Sequence, residues 1–179
     1  EDFVALSQRI SSQTGGIRPA TYTSSVHRST TGAAWLFLRA KALASRSADL
    51  FAILHVVLTG ARFDQQDRIR QIIREEKAAF EQRLIPGGHS VVASRLRAHF
   101  SEADWAAEQI SGVTYYRFLC DLEKRFTTDW AETRKALEHM RSLLLNRNHM
   151  IVNITLDQNA WGPIREHMEG FLEKLPSLA

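Results

Sequence analysis

The order of apolar and polar positions along the chain predicts a mainly helical protein. The longest helical signal covers residues 63–100, where apolar residues recur at spacings of three and four and charged residues fill the positions between them. Asp64 is placed to cap its first turn. Pro86 and the two glycines that follow divide it, because proline cannot continue the helical hydrogen bonds and glycine readily forms the turn that ends a helix. After this break a second helix is expected from about Ser90, with three apolar residues on one side: Val92, Leu96 and Phe100.

Three other stretches have the pattern of β-strands. Residues 17–27 alternate between β-branched or aromatic side chains and small polar ones, and residues 33–43 are apolar on both faces. A short polar turn that ends at Gly32 joins them, which predicts a β-hairpin whose second strand is the more central. Residues 149–156, with the sequence MIVNITL over 150–156, predict a third strand.

The remaining segments predict helices with recognisable start signals. Ser47 is expected to cap a helix that ends at Gly60. Ser101 with Asp104, and Asp129 with Glu132, have the spacing of N-terminal capping pairs. Further helices are expected from about residue 2, from Thr114, and around residues 161–175. In the helix that Thr114 opens, five residues are expected to share a buried face: Tyr115, Phe118, Leu119, Leu122 and Phe126.

The predicted order is α-β-β-α-α-α-α-α-α-β-α. It indicates an α+β fold with a small, mainly antiparallel sheet (the hairpin plus one C-terminal strand) packed against several helices. The chain has 179 residues, which corresponds to one domain over residues 1–179. It begins without methionine, in what reads as an amphipathic helix, and we interpret it as a fragment of a longer chain.

The net charge of +3 is unevenly distributed. Residues 1–100 hold 14 basic and 8 acidic side chains (+6), and residues 101–179 hold 9 and 12 (−3). A basic half is able to bind nucleic acid or an acidic partner. The simpler interpretation, which we favour, is that the arginines lie on solvated helix faces and pair with Glu or Asp.

The sequence contains no recognisable catalytic motif. Its apolar runs are too short to cross a bilayer, and its single cysteine, Cys120, excludes an intramolecular disulfide. No histidine pair has the spacing of a zinc-binding helix in either orientation, and nucleotide and nucleophile motifs are absent. We therefore predict no catalytic, cofactor-binding or metal-binding residue. The histidines are taken as surface, capping or core residues: His27, His55, His89, His99, His139, His149 and His167.

Five phrases, in this order, carry a resemblance to a known family. They are QTGGI at 13–17, AKAL at 40–43, FDQQDRIRQIIREEKAAFEQRLIPGGHS at 63–90, ISGVTYYRFLCDLEKRF at 110–126 and LLLNRNHMIVNIT at 143–155. Together they resemble the third domain of presequence-protease-type enzymes, in the insulinase/pitrilysin superfamily of zinc metallopeptidases. The resemblance extends over essentially the whole chain.

The resemblance implies a non-catalytic domain of the LuxS/pitrilysin metallopeptidase type, within a chain of four such domains that encloses short unfolded peptides. Zinc is then expected in the catalytic domain of the parent chain and not in this fragment. The expected partners are other domains of the same polypeptide and peptide substrates, without a membrane. A first strand would precede residue 2. The resemblance also implies a cytoplasmic protein in a bacterium and an organelle-matrix protein in a eukaryote.

A different class of function stays open on the sequence alone. The same fold is able to serve as an independent interaction module that uses its basic N-terminal half to bind an acidic partner or, less readily, nucleic acid. A reading frame of about a thousand residues with H-x-x-E-H upstream of this segment would select the peptidase interpretation.

Overall fold

A computed structural model describes residues 3–177, with the exception of the side chains of residues 3 and 127. Within this range the chain forms eight α-helices and one β-hairpin, linked by loops and three short 3-10 turns. The elements are α1 Phe3–Gln13, β1 Ile17–Ser25, β2 Gly32–Ala40, α2 Ser47–Thr59, α3 Gln66–Leu84, α4 Gly88–Arg97, α5 Glu102–Ser111, α6 Val113–Thr128, α7 Trp130–Leu144 and α8 Trp161–Glu173.

The predicted helices are confirmed in number and order within the described residues, and the predicted breaks fall between them. α1 ends before Gly16, whose φ of 107° lies in the left-handed region that glycine tolerates best. α3 ends two residues before Pro86, and α4 begins at Gly88. The expected start of α1 at residue 2 lies outside the described residues. No helix over residues 3–177 combines the length and apolar character needed to cross a membrane.

Two of the four predicted helix caps are confirmed. The hydroxyl of Ser101 accepts a hydrogen bond from the N–H of Asp104 (3.1 Å), and the carboxylate of Asp129 accepts one from the N–H of Glu132 (3.2 Å). The caps expected at Asp64 and Ser47 are wrong. α3 begins after Gln65 without a side-chain cap, and Ser47 is the first residue of α2.

The buried Ser47 has a tertiary partner in place of the predicted capping role. Its Oγ lies 3.0 Å from Nδ1 of His167 on α8. Because this hydroxyl is removed from water, a hydrogen bond inside the protein stabilises it.

The predicted hairpin is confirmed, and the third strand is wrong. β1 and β2 pair with each other in a two-stranded antiparallel sheet. Residues 150–157 have no regular secondary structure and follow a 3-10 turn at Arg147–His149. Alternating apolar residues favour an extended backbone, but a strand also needs a neighbour to accept its ladder of hydrogen bonds. The described residues supply no such neighbour here.

The hairpin also differs from the expected central position of its second strand. Neither β1 nor β2 contains a buried residue. Trp35, Leu36 and Phe37 of β2 are all exposed, although they lie on both faces of the strand. A strand that is apolar on both faces is typical of one covered on both sides. Contact with helices is local, as where the N–H of Gly32 donates to Glu102 of α5 (2.8 Å).

The chain divides into two compact units. The first comprises residues 1–18, 38–62 and 136–179. In it α2 packs against α8, with the rings of Phe51 and Phe171 5.5 Å apart. The segment after α8 packs back on the turn after α7, because the N–H of Arg147 donates to the carbonyl of Pro176 (2.8 Å).

The second unit comprises residues 19–37 and 63–135. Its main packing pairs are α3 with α6 and α5 with α6, and α4 lies on α5. The centre of the α3–α6 contact is a buried cluster of Ile73, Leu119 and Phe126, with partly buried apolar residues around it: Ile69, Tyr115, Leu122 and Trp130.

The predicted buried face of α6 is therefore correct for four of its five residues. Phe118 is wrong, since 55% of it is exposed. At 100° per residue, Leu119, Leu122 and Phe126 lie within about 60° of one another, and Phe118 falls at the edge of this arc. The helix turns that edge away from α3.

This difference between two phenylalanines of one helix gives a stability test. Phe126 is fully buried, so Phe126→Ala should lower the free energy of unfolding by about 3–5 kcal/mol through lost burial and the resulting cavity. Phe118→Ala is the matched control and should cost less than about 1 kcal/mol. Chemical denaturation of the two variants measures both values. Equal losses would contradict the assigned α3–α6 core.

Candidate functional site

The second unit contains a carboxylate that is almost completely removed from solvent. Glu108, in the last turns of α5, is 1% exposed and is one of the most buried residues of the described chain. An ionised carboxylate in this position is costly unless hydrogen bonds and a positive charge compensate for lost hydration.

Both kinds of compensation are present, and they come from two neighbouring helices. The N–H of Thr114 in the first turn of α6 donates to Oε1 of Glu108 (3.0 Å), and Nη1 of Arg95 on α4 donates to the same oxygen (3.0 Å). Nη1 of Arg95 also donates to the hydroxyl of Thr114 (3.0 Å). One carboxylate therefore connects α4, α5 and α6; we call this the three-helix junction.

Glu108 supplies the cap that α6 lacks locally. The residue at the N-cap position is Gly112, which has no side chain to accept a helix N–H. The first N–H groups of a helix have no partner within the helix, and negative charge is favourable near them. A glutamate six positions earlier in the sequence than Thr114 accepts one of them.

The absence of a side chain at residue 112 is also a packing requirement. A Cβ there would lie 2.7 Å from Cγ of Glu108 and 2.7 Å from its backbone oxygen. Both distances are too short for unstrained contact, and the backbone at this glycine has negative φ, so the constraint is steric and not conformational. Gly112 thus lets the turn between α5 and α6 close over the Glu108 side chain.

The junction changes the acidity of Glu108. Burial, the largest influence, raises the pKa of the carboxyl group. The hydrogen bonds from Thr114 and Arg95 together outweigh it, so the net pKa lies below the usual value. Glu108 is therefore ionised at neutral pH, as its role as an acceptor requires.

α4 presents large apolar side chains away from the junction. Val92, Leu96 and Phe100 follow one another at intervals of four and are 60%, 59% and 85% exposed. The side chains nearer the rest of the unit are smaller, as at Ser94 and Ala98. An amphipathic helix at the surface of a globular protein normally has the opposite arrangement, with the large apolar residues turned inward.

This α4 stripe, defined as Val92, Leu96 and Phe100, continues towards α5. A shallow groove of about 340 Å³ follows Phe100. Trp105, which is 57% exposed, forms part of its wall. The other lining residues are Thr30, Ala98, His99, Ser101 and Glu102.

A second polar set connects α3 with α6. Glu123 accepts hydrogen bonds from Lys77 (2.6 Å) and Arg74 (2.9 Å), and these contacts lower the pKa of its carboxyl group. The hydroxyl of Tyr116 donates to Glu81 (2.6 Å), which raises the pKa of the tyrosine. These are exposed or partly exposed contacts that hold two helices in register. None has the arrangement of a nucleophile with a base.

The histidines and the cysteine do not assemble into a metal centre within the described residues. No group of three or more His, Cys, Asp or Glu side chains over residues 3–177 is placed to hold a metal ion. His167 contacts Ser47, and His55 contacts Thr59 of the same helix (3.4 Å). Cys120 is partly exposed on α6. The described residues do not fit a zinc ion.

Sequence analysis missed the three-helix junction. It treated Ser111 and Gly112 as a helix break and gave Glu108 no role. A local signal was available, since a glycine N-cap without a side-chain acceptor leaves the following N–H groups in need of a partner. The contribution of Arg95, 13 residues before Glu108, depends on how α4 folds onto α5 and has no local signal.

Comparison with known proteins places the chain in a family. Residues 1–122 match the family model for the region associated with peptidases of family M16, subfamily C. The chain is 36% identical over 174 residues to Presequence protease 1, chloroplastic/mitochondrial, of Arabidopsis thaliana, a match that covers 97% of the chain and 16% of the relative. It is 26% identical over 175 residues to Protein HypA of Clostridium perfringens, with 97% and 18% coverage.

The chain belongs to this peptidase-associated family, because the family model matches about two thirds of it. It spans less than one fifth of the length of these curated relatives. The resemblance to presequence-protease-type members of the superfamily, drawn above from five phrases, is confirmed.

The junction predicts how stability depends on pH. The pKa of Glu108 is lowered on folding, so its ionised form stabilises the folded state above the usual value near 4.5, and this contribution is lost as pH falls through the lower folded pKa. Glu108→Gln removes the charge with little change in shape. It should cost about 1–3 kcal/mol at pH 7 and progressively less as pH falls from about 4.5 towards about 3.

Urea denaturation of both proteins across this pH range measures the difference. Glu76→Gln, at an exposed position of α3, is the matched control and should change stability by less than about 0.5 kcal/mol. A cost for Glu108→Gln that is constant over the whole pH range would contradict the role given to the ionised carboxylate.

Proposed function

We propose that this chain is a non-catalytic domain of a zinc peptidase that degrades short unfolded peptides, and that it forms part of the wall of the enclosed substrate chamber. The observation that carries this proposal is the likeness of nearly the whole chain to one limited segment of a presequence protease. A segment that is related throughout its length to part of a peptidase belongs with other domains of the same polypeptide.

The arrangement of polar groups supports a structural role. Peptide hydrolysis by a zinc peptidase uses ligands that hold the metal and a base that activates its water. The described residues offer neither set together, and the best-organised polar group, the three-helix junction, joins helices. The zinc of the parent protein belongs, in this proposal, to a catalytic domain elsewhere in the polypeptide.

The alternative function, binding of an acidic partner or nucleic acid by the basic N-terminal half, has less support. Several of its arginines already contact acidic side chains. Arg95 pairs with Glu108, Arg97 lies 3.8 Å from Asp104, and Arg74 pairs with Glu123. Helix-face pairing of this kind is what the simpler interpretation of the charge pattern expects.

The location of the parent protein follows from the same relationship and is also a proposal. The Arabidopsis relative is named as chloroplastic/mitochondrial. We propose an organelle matrix if the parent protein is eukaryotic and the cytoplasm if it is bacterial.

A direct test compares this chain with its parent polypeptide. The chain alone should hold less than about 0.1 zinc per molecule and should not cleave a quenched fluorescent peptide, because it supplies no zinc-activated nucleophile. The parent polypeptide should hold about one zinc and lose its activity when a chelator is added. Zinc near one equivalent in the chain alone, together with chelator-sensitive cleavage, would overturn the proposal.

A further inference from the structure

We propose that the α4 stripe, together with Trp105, is a permanent contact surface for the remainder of the parent polypeptide. This inference rests on the proposed function and names the part of the domain that meets its neighbours. Val92, Leu96 and Phe100 are each more than half exposed and succeed one another at the helical repeat. Such a row of large apolar side chains is typical of an interaction surface.

The charges beside the stripe are already satisfied within this unit. α4 contains no acidic residue, and its two arginines turn to α5, where Arg95 contacts Glu108 and Arg97 contacts Asp104. The exposed side of α4 is therefore left to apolar and aromatic groups. Interfaces that are apolar at their centre are typical of permanent association, whereas a surface for a transient acidic partner would present its arginines.

The junction makes this exposure a built feature of the fold. Arg95 is held by Glu108 and Thr114, which fixes the rotation of α4 about its own axis. With that rotation fixed, Leu96 is directed away from α5. A helix free to rotate would bury its large apolar residues, because burial stabilises each of them.

The size of the relatives identifies the occupant. More than four fifths of the length of each curated relative lies outside the part that matches this chain. A segment of the same polypeptide is present at a high effective concentration without any separate binding step. We therefore infer that another part of the polypeptide, and not a second copy of the chain or a substrate peptide, covers the stripe.

Cysteine labelling of the intact parent polypeptide tests the inference. Leu96→Cys is introduced after Cys120→Ala removes the native thiol, with Gln71→Cys on the exposed side of α3 and Glu132→Cys on α7 as controls. Reaction with a maleimide is followed in the native protein and in denaturant. We expect native labelling at residue 96 to be at least about 30-fold slower than in denaturant, and labelling at the controls to change less than about 3-fold, because local opening must precede reaction only where the thiol is covered.

Four results would overturn the inference. They are labelling at residue 96 as fast as at the controls, equal protection at all three positions, protection that disappears on dilution, which indicates a second copy, and protection that needs added peptide, which indicates a substrate surface. Val92→Cys gives the same readout if Leu96→Cys does not fold. The proposed function fails separately, if the intact polypeptide shows no zinc-dependent cleavage whatever the labelling result.

Discussion

The fold of the second unit depends on how one buried carboxylate is compensated. Glu108 loses its hydration on folding, and the N–H of Thr114 and the guanidinium of Arg95 replace it. These two contacts come from different helices, so satisfying Glu108 fixes α6 and α4 against α5 at once. Gly112 completes the arrangement, since any side chain there would collide with Glu108. The exposed position of the α4 stripe follows from this geometry.

The sequence predicted well those features that depend on neighbouring residues. The helices were found because apolar spacing reports which face is buried, and the caps at Ser101 and Asp129 because their partners lie three residues away. The predictions at Ser47 and Asp64 were wrong for different reasons. Ser47 contacts His167, 120 positions away, and α3 begins after the residue that follows Asp64.

Features that depend on distant contacts were predicted less well. Residues 150–156 have the composition of a strand, but pairing needs a neighbour that the pattern does not reveal. Phe118 was placed in the core because it fits the helical period, and only the direction from which α3 approaches α6 shows that it lies outside. The three-helix junction was missed because Arg95 and Glu108 meet only after two helices have packed.

The candidate site is therefore structural in character, which agrees with membership of a family associated with peptidases. The second unit uses its buried charge to hold helices together and leaves apolar surface on α4 and on the hairpin strand β2. In the proposed function, these surfaces are where a domain without chemistry of its own contributes to the peptidase.

A double-mutant cycle between Arg95 and Glu108 tests the central claim most directly. Unfolding free energies are measured for the unmodified chain, for Arg95→Gln, for Glu108→Gln and for the double variant at neutral pH. The account predicts a coupling free energy of about 1–2 kcal/mol, within the range found for residues that share a polar network. A coupling below about 0.3 kcal/mol would show that the two side chains act independently and would contradict the three-helix junction.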